Sequence, residues 1–396
     1  MQVLDIGIAG AGVAGLAAAA LLARDGHRVT VFDRFDAPAP VGSGLMIQPM
    51  GLAVLEALGL AEGLIARAAP IRRLFGRSQP AGRVILDVRY RRGAVGFGVQ
   101  RAALFDLLLE GALDAGVQLV PSTRITGADG RYMVAGNGRH GPFDLILDTM
   151  GFASPLCPRP ARPLAFGALW GLVDWPDVSA LDPAALEQRY RRASRMVGVL
   201  PVGRYRPDGA DRLTFFWSLR ERDYDGWRTA SLDGWKSEAA ALWPEVAPVL
   251  ERIGAHDELT FARYGHRTLG RPVTGRIAHL GDSFHATSPQ LGQGANMALL
   301  DAAVFASAVA AASSAEDALA AYARGRRLHV FVYQGASWLF TPLYQSGSRF
   351  LPWVRDVFLG PLSQVPPSPA VLAALVAGRV GRPLRRVAPE HGGCAV

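Results

Sequence analysis

The chain has 396 residues, half of them hydrophobic, with a formal net charge of +8, 45 glycines and 27 prolines. That length exceeds one minimal core and points to two or three globular domains, which excludes a disordered or fibrous protein. The basic residues are nearly all arginine, Lys236 being the only lysine; no basic block is interleaved with aromatics, so nucleic acid is not an expected partner and the positive balance favours small anionic ligands.

Cys157 and Cys394 fit neither a disulfide framework nor a zinc spacing, so a reducing, cytoplasmic compartment and no metal are expected. Residues 6–23 are uncharged and long enough to resemble a membrane span. They carry four glycines at motif spacing without a basic leader, and read as neither signal peptide nor membrane helix.

Residues 3–9 are a mostly apolar run, as in a buried parallel strand. Gly10-Ala11-Gly12-Val13-Ala14-Gly15 is a complete GxGxxG. An alanine- and leucine-rich helix follows at 16–24, stopped by Asp25-Gly26, then a second strand at 28–32 ending on Asp33. In this setting Gly10 makes the sharp turn, Gly12 lets backbone approach a pyrophosphate, and Gly15 lets helix pack on strand. The helix N-terminus offers free N–H groups to phosphate, and Asp33 can accept hydrogen bonds from a ribose.

A loop is expected at 34–40 and a short helix at 50–58, closed by Gly59. Residues 71–99 read as strands with turns at Gly82 and Gly93. An amphipathic helix at 101–113 carries Leu104, Leu107 and Leu108 on one face, and strands follow at 117–120 and 144–148. From Pro155 the texture changes to strands rich in Phe, Trp and Val at 165–173, 196–200 and 212–219, with helices expected at 183–193 and 232–242. This is the pattern of an α+β domain on an antiparallel sheet.

At Gly275 the opening style returns: a strand at 276–280, then Gly281-Asp282, Pro289, Gly292 and Gly294, and an alanine-rich helical stretch at 296–323 broken near Ser313. A strand ending in Gly-Asp before a Gly-x-Gly is a second cofactor cradle, because Asp282 can hold a polyol hydroxyl and the glycines leave backbone N–H groups uncovered. Residues 329–362 are aromatic-rich with prolines, and the basic tail from Arg379 is expected to be mobile.

The run Gly-Arg-Ile-Ala-His-Leu-Gly-Asp-Ser-Phe-His-Ala-Thr-Ser-Pro-Gln-Leu-Gly-Gln-Gly-Ala-Asn at 275–296 resembles the second FAD fingerprint of single-component, class A flavoprotein monooxygenases, the relatives of para-hydroxybenzoate hydroxylase. The resemblance covers residues 1–310. It implies an α/β fold: a Rossmann-like FAD-binding domain (1–75, 100–155 and 266–325) interleaved with an α+β substrate domain built on an antiparallel sheet (76–99 and 156–265). A C-terminal helical segment and tail (326–396) completes the chain.

By the same resemblance, Gly10, Gly12, Gly15 and Asp33, with Ala14 and Arg34 beside them, hold the ADP half of FAD, and Arg101 faces the cofactor. Asp282 holds the ribityl–pyrophosphate side, and Pro289 with Gly292, Gln293, Gly294, Ala295 and Asn296 flanks the isoalloxazine. No histidine or cysteine is placed for a covalent link. The implied chemistry is flavin reduction by NADH or NADPH, addition of O2 at flavin C4a, and delivery of hydroxyl from the hydroperoxide to an electron-rich ring. The substrate is an aromatic or polyketide-like small molecule, hydroxylated or oxidatively rearranged.

One departure stands out. Where the family has Gly-Ala-Asp-Gly-x-x-Ser, this chain has Asp148-Thr149-Met150-Gly151-Phe152-Ala153-Ser154, so Met150 replaces an aspartate linked in the family to FAD and reduced-nicotinamide binding. Methionine carries no charge and accepts only weakly. A flavin dehydrogenase, oxidase or reductase that does not use NAD(P)H is therefore the alternative, ahead of a non-catalytic flavin-binding protein. A halogenase is disfavoured, because no lysine is suitably placed and Trp-x-Trp-x-x-Pro is absent.

Catalytic candidates are His285, Gln48, Arg263 and His266, with a structural hydrogen bond the favoured role for His285. Tyr205, Phe215, Trp217 and Tyr264 are candidates for an aromatic substrate wall, with core packing at least an equal reading for the first three and a solvated strand edge an equal one for Tyr264, Arg263 and His266. The C-terminal aromatics, Trp338 to Trp353, fit burial against the protein or a homodimer contact, ahead of peripheral contact with a membrane through Arg349 and Arg355. Monomer and homodimer are both compatible with the sequence.

Overall fold

The computed structural model describes residues 2–36, 43–91, 93–136, 138–177 and 180–381. Part of the 34–40 loop, Cys394 and most of the basic tail lie outside them.

Asp5–Ala9 is buried on both faces, which is why it reads as a continuous apolar run rather than an alternation. It lies parallel to Arg28–Phe32 on one side and Leu145–Asp148 on the other, with Ile8 opposite Val31 and Leu147. Ile277–His279 extends the parallel set beyond Leu145–Asp148. Gln118–Val120 closes one edge, and the antiparallel Val273–Thr274 the other, giving six strands.

Helix Val13–Arg24 begins three residues earlier than the composition suggested, so Gly12 is its N-cap and the second half of the glycine motif is helical. Its buried face is almost all alanine and packs on the alanine-rich Gly294–Ala311, since small side chains let the two helices approach closely. Gly294–Ala311 is long and apolar enough to cross a membrane, but it is a core helix, mostly buried inside this domain.

The second sheet has seven strands, in the order Thr260–Ala262, Phe166–Asp174, Arg212–Arg220, Arg195–Gly203, Ala185–Arg191, Arg73–Ser78 and Arg83–Arg89. Alternation sorts its residues. Leu213, Phe215, Trp217 and Leu219 pack with Trp227, Trp235 and Trp243 of the covering helices, while Phe216 joins Met196, Leu200 and Tyr190 on the other face.

The helix expected at 183–193 is a strand, Ala185–Arg191, antiparallel to Arg195–Gly203 and parallel to Arg73–Ser78. Its Ala, Glu, Gln and Arg residues favour helix intrinsically. Pairing with a strand on each side engages its backbone groups and overrides that preference. Residues 125–140 add an unanticipated three-stranded sheet over the six-stranded one.

The expected break at Ser313 is present: Ser314 caps the next helix by accepting from Asp317 N at 3.1 Å. That helix, Ala315–Tyr344, runs unbroken through residue 326, so the boundary expected there falls inside a helix. The aromatic run beyond divides in two. Leu343 and Pro352 are buried, whereas Trp338 and Phe350 are 71% and 66% exposed, so burial against the protein accounts for only part of it.

Candidate functional site

Between the two sheets lies a cavity of ≈ 800 Å³. Its wall on the six-stranded side is built from turns. Gly10 adopts φ +106° at the end of the first strand, and a Cβ there would sit 2.8 Å from Thr149 O. Thr149 Oγ1 donates to Ala9 O at 2.8 Å and Gly10 O at 2.7 Å, fixing the turn from the neighbouring strand. A Cβ on Gly15 would meet Gly10 O at 2.0 Å, so Gly15 serves helix–strand contact and does not line the cavity. A Cβ on Gly12 would meet nothing nearer than Thr149 O at 4.0 Å, and one on Gly294 or Gly151 nothing at all: these backbones face open space.

Asp33 lines this wall with both oxygens held, Oδ2 by Ala11 N at 2.8 Å and Oδ1 by Phe35 N at 3.0 Å. Asp282 opens onto the cavity at the start of the turn after Gly281. Enclosure by the walls pushes its carboxyl up, against the pull of His285, Arg101 and Arg267. Ala14, Arg34, Arg101, Pro289, Gly292, Gln293, Gly294 and Ala295 also line the cavity, as the sequence led us to expect.

Three expected contacts do not reach it. Asn296 is spent on the protein: Nδ2 donates to Met46 O and Gly292 O, and Oδ1 accepts from Gln48 N at 2.7 Å. Gln48 is fully buried beneath that wall, its Oε1 accepting from the Tyr90 hydroxyl, and its Nε2 has no partner. His285 turns inward, with Nε2 2.6 Å from Asp301 Oδ2. Asp301 also accepts from Gly281 N at 2.7 Å and Arg326 Nε at 2.6 Å, all of it buried. Burial would push the Asp301 carboxyl up, but His285 and Arg326 hold it below its ordinary value. This cluster buttresses the Gly281-Asp282 turn from behind, so His285 supports the site and does not act in it.

Arg263 and His266 are likewise displaced. Arg263 is exposed and paired with Glu221 at 2.8 Å. His266 lies in the short pair with Arg162, away from the cavity lining, and burial lowers its pKa.

The departing signature has a structural counterpart. Asp148, two residues before Met150, is fully buried and accepts from Met150 N at 3.2 Å and Ser154 Oγ at 2.7 Å, with His279 Nδ1 at 2.8 Å. It caps the Gly151–Ala153 turn from inside, while Met150 lines the cavity. Arg267, which the sequence did not single out, clamps that turn through Phe152 O at 2.9 Å.

The opposite wall is the inner face of the seven-stranded sheet, with Trp170, Leu186, Gln188, Met196, Leu200 and Phe216 among its side chains. Tyr264 is there too, as expected, its hydroxyl accepting from Trp170 Nε1 at 2.6 Å, and burial pushes that hydroxyl up so that it stays a donor. Phe215 and Trp217 are not. They lie in the core on the far face, because successive strand residues point to opposite sides. The aromatic wall was expected one residue out of step, for Phe216 and not its neighbours lines the cavity; Thr214 and Ser218, polar neighbours of Phe216 in alternation, were the available signal. Tyr205 is exposed on the outside and bonded to Asp106. Among the described residues no group of three His, Cys, Asp or Glu side chains could hold a metal.

The turn wall fits a dinucleotide such as FAD. Gly12 and Gly294 leave room that a Cβ would fill, a helix N-terminus faces the space, and two carboxylates stand at strand ends.

Residues 3–130 and 128–332 match the family described as FAD binding domain. A Rhodococcus erythropolis protein named as a putative 2-heptyl-3-hydroxy-4(1H)-quinolone synthase is 28% identical over 300 residues, 74% of this chain and 76% of that one. The 3-amino-4-hydroxybenzoate 2-monooxygenase of Streptomyces cremeus is 29% identical over 325 residues, covering 75% and 76%. The tetrameric form of 2-methyl-3-hydroxypyridine-5-carboxylic acid oxygenase has a similar fold, with TM-score 0.80, 21% identity, and 98% and 99% of the two chains covered.

Proposed function

The chain belongs to the FAD-binding domain family of class A flavoprotein monooxygenases, and from that premise we propose that it oxidises an aromatic or polyketide-like small molecule, with NADH or NADPH as electron donor and O2 as co-substrate. The observation that carries this reading is a cavity in which a glycine-turn wall faces an apolar sheet wall. A cofactor and a ring have room there to lie face to face.

Bound FAD supplies the redox chemistry that passes two electrons from the nicotinamide to dioxygen and places one oxygen atom on the substrate, the other leaving as water. The chain's own residues bind and orient. Gly10, Gly12, Ala14 and Asp33, with Arg34, would hold the ADP half. Arg101 and Asp282 would hold the centre of the cofactor, and Pro289 with Gly292 to Ala295 would flank its ring end. Gly15, Asn296, Gln48 and His285 position those turns and touch no ligand. The sheet wall excludes water around the reacting ring, and the Tyr264 hydroxyl offers it a donor.

The same reading assigns 1–75, 100–155 and 266–325 to cofactor binding and 76–99 with 156–265 to the substrate. It places the protein in the cytoplasm, since two cysteines, Cys157 and Cys394, fit no disulfide framework in the sequence.

The test is anaerobic mixing of the FAD-loaded protein with NADH or NADPH, alone and with a panel of phenols. Bleaching of the visible flavin absorbance is expected. Met150 in the cavity wall favours a second reading: if only dithionite or an organic substrate bleaches the flavin, the protein is a dehydrogenase or oxidase.

A further inference from the structure

Five charged side chains line the cavity, Asp33, Arg34, Arg101, Arg124 and Asp282, and every one belongs to the turn wall. Among the described lining residues the seven-stranded sheet contributes none. This follows from alternation, not from a lack of charge in those strands. Arg73 pairs with Asp87 at 2.7 Å and lies 4.0 Å over Phe75, and Arg189 lies 4.3 Å over Trp243, all directed to the far face. Their neighbours Leu74, Leu86 and Leu186 face the cavity.

Besides the Tyr264 hydroxyl, one strand side chain on that wall, Gln188, has hydrogen-bonding capacity left over. Gln188 Oε1 accepts from the Tyr190 hydroxyl at 2.9 Å, which orients the amide. Its Nε2 meets only Met196 Sδ at 4.0 Å, a weak acceptor. The amide hydrogens are therefore available to a ligand.

We infer that the sheet wall selects an uncharged aromatic substrate with an apolar substituent and a carbonyl or similar acceptor oxygen read by Gln188, and rejects aromatic carboxylates. The cation nearest this wall, Arg101, is felt at Tyr264 but also at Asp282 and would hold the cofactor, so a carboxylate on the wall would lose its water and find no cation of the wall's own. The inference rests on the proposed monooxygenase reading and narrows it.

Isothermal titration of the FAD-loaded protein tests it with three probes: 1-(4-hydroxyphenyl)heptan-1-one, 4-heptylphenol and 4-hydroxybenzoate. The ketone should bind at least about 10-fold more tightly than 4-hydroxybenzoate. Gln188→Leu should weaken the ketone about 10-fold while leaving 4-heptylphenol within about twofold, and Gln188→Arg should raise the affinity for 4-hydroxybenzoate. Equal or tighter binding of 4-hydroxybenzoate, no binding of any probe, or a ketone affinity indifferent to Gln188→Leu would overturn the inference. Flavin content is measured on every sample. A wild-type protein that takes up no FAD defeats the cofactor reading, and the same titrations on it still decide the sheet wall. If Gln188→Leu loses its flavin, Gln188→Met replaces it.

A separate surface carries a second proposal. Residues 318–396 contain nine arginines against Asp356 and Glu390. Of those described, Arg326 and Arg355 are buried in ion pairs, while Arg324, Arg327 and Arg349 are exposed, with Glu316 and Asp317 exposed at the start of the helix that carries Arg324 and Arg327. On helix Ala315–Tyr344, Leu328, Phe331 and Trp338 are 60%, 75% and 71% exposed at a spacing that aligns them on one stripe, with Arg324 and Arg327 exposed on the same helix. The following turns expose Phe350, Trp353 and Phe358 in contact with one another, beside Arg349.

We propose that this surface rests on an anionic phospholipid bilayer, the aromatics entering the interface and the arginines meeting headgroups. A second copy would bring like charges together. The full-length, FAD-loaded protein should sediment with phosphatidylcholine–phosphatidylserine vesicles and not with phosphatidylcholine alone. Salt should release it, and Phe331→Ser with Trp338→Ser should cut binding about 10-fold. No sedimentation with the mixed vesicles would overturn the proposal. So would a solution dimer that the same two substitutions dissociate, which would show that a second copy covers the stripe.

Discussion

On its six-stranded side the cavity is walled by backbone, with Gly10, Gly12 and Gly294 at turns that other elements hold from behind. On its seven-stranded side it is walled by side chains, every second residue of strands whose intervening residues fill a separate core. The first wall offers N–H groups and two carboxylates, groups suited to phosphate and sugar. Such groups must be placed closely, so each turn needs its own support: Thr149 for the first, Asp301 with Arg326 for the second. The second wall recognises shape and tolerates exchange of one apolar side chain for another. One wall is rigid and shareable among substrates; the other can change without disturbing it.

The largest expected effect falls on the supports of the first wall. Asp301→Ala leaves Arg326 buried without its carboxylate and removes the acceptor of Gly281 N. It should cost about 3–5 kcal/mol in urea denaturation, with loss of bound FAD. Retention of both would show that the cluster is not a buttress.

On the second wall, two adjacent residues should behave in opposite ways. Trp217→Ala empties the far core and should cost about 3–5 kcal/mol, leaving the affinity for an aromatic ligand within about threefold of the wild type once folded. Phe216→Ala, which removes the ring stacked 4.7 Å from Trp170, should cost less stability and weaken the ligand about 10-fold or more. The reverse pattern in calorimetry would break the assignment of faces.

Within the glycine turn, Gly15→Ala forces a Cβ onto Gly10 O and should cost about 1–3 kcal/mol. Gly12→Ala has room and should change stability by less than about 1 kcal/mol. Both should lower the ratio of flavin to protein after gel filtration. If Gly12→Ala keeps full flavin, the open space beside it is not where the cofactor lies.

The smallest effect is on pH dependence. Burial, with Arg326 adjacent, pushes His329 down to about 3 from its ordinary 6.5. The unfolded chain takes up that proton as pH falls through about 6.5, whereas the folded protein resists until about 3. Stability should therefore fall over that window on acidification. His329→Gln can retain a hydrogen bond to Gly378 O and takes up no proton, so its thermal unfolding should depend less on pH between about 6.5 and 4. An unchanged slope would mean that His329 is not held neutral in the folded protein.

Much of the first wall was legible because glycine spacing records backbone conformation directly. Gly10, Gly12, Asp33, Asp282, Gly292 and Gly294 were all found from their order around strands and helices. Gly15 was read as helix–strand packing and, by resemblance, as a ligand contact, and its geometry is that of packing; Asn296 was read as a ligand contact and is spent on hydrogen bonds within the protein. Little of the second wall could be read. The segment Ala185–Arg191, which supplies Gln188, has the composition of a helix, and Phe215, Phe216 and Trp217 cannot be sorted until one knows which face the covering helices take. His285 shows the same limit. A structural hydrogen bond was its favoured reading, but the partners, Asp301 and Arg326, arrive from two later helices that its local sequence does not name.

The sequence by itself determined the family, the parallel core and the turns that face a dinucleotide, because each is encoded by residues within a few positions of one another. The tertiary structure alone decided which face of the seven-stranded sheet lines the cavity, which carboxylate ties down the turn beside Met150, and where the charges of those strands go. Each of these depends on partners remote in sequence, and strand alternation makes an error of one residue an error of side.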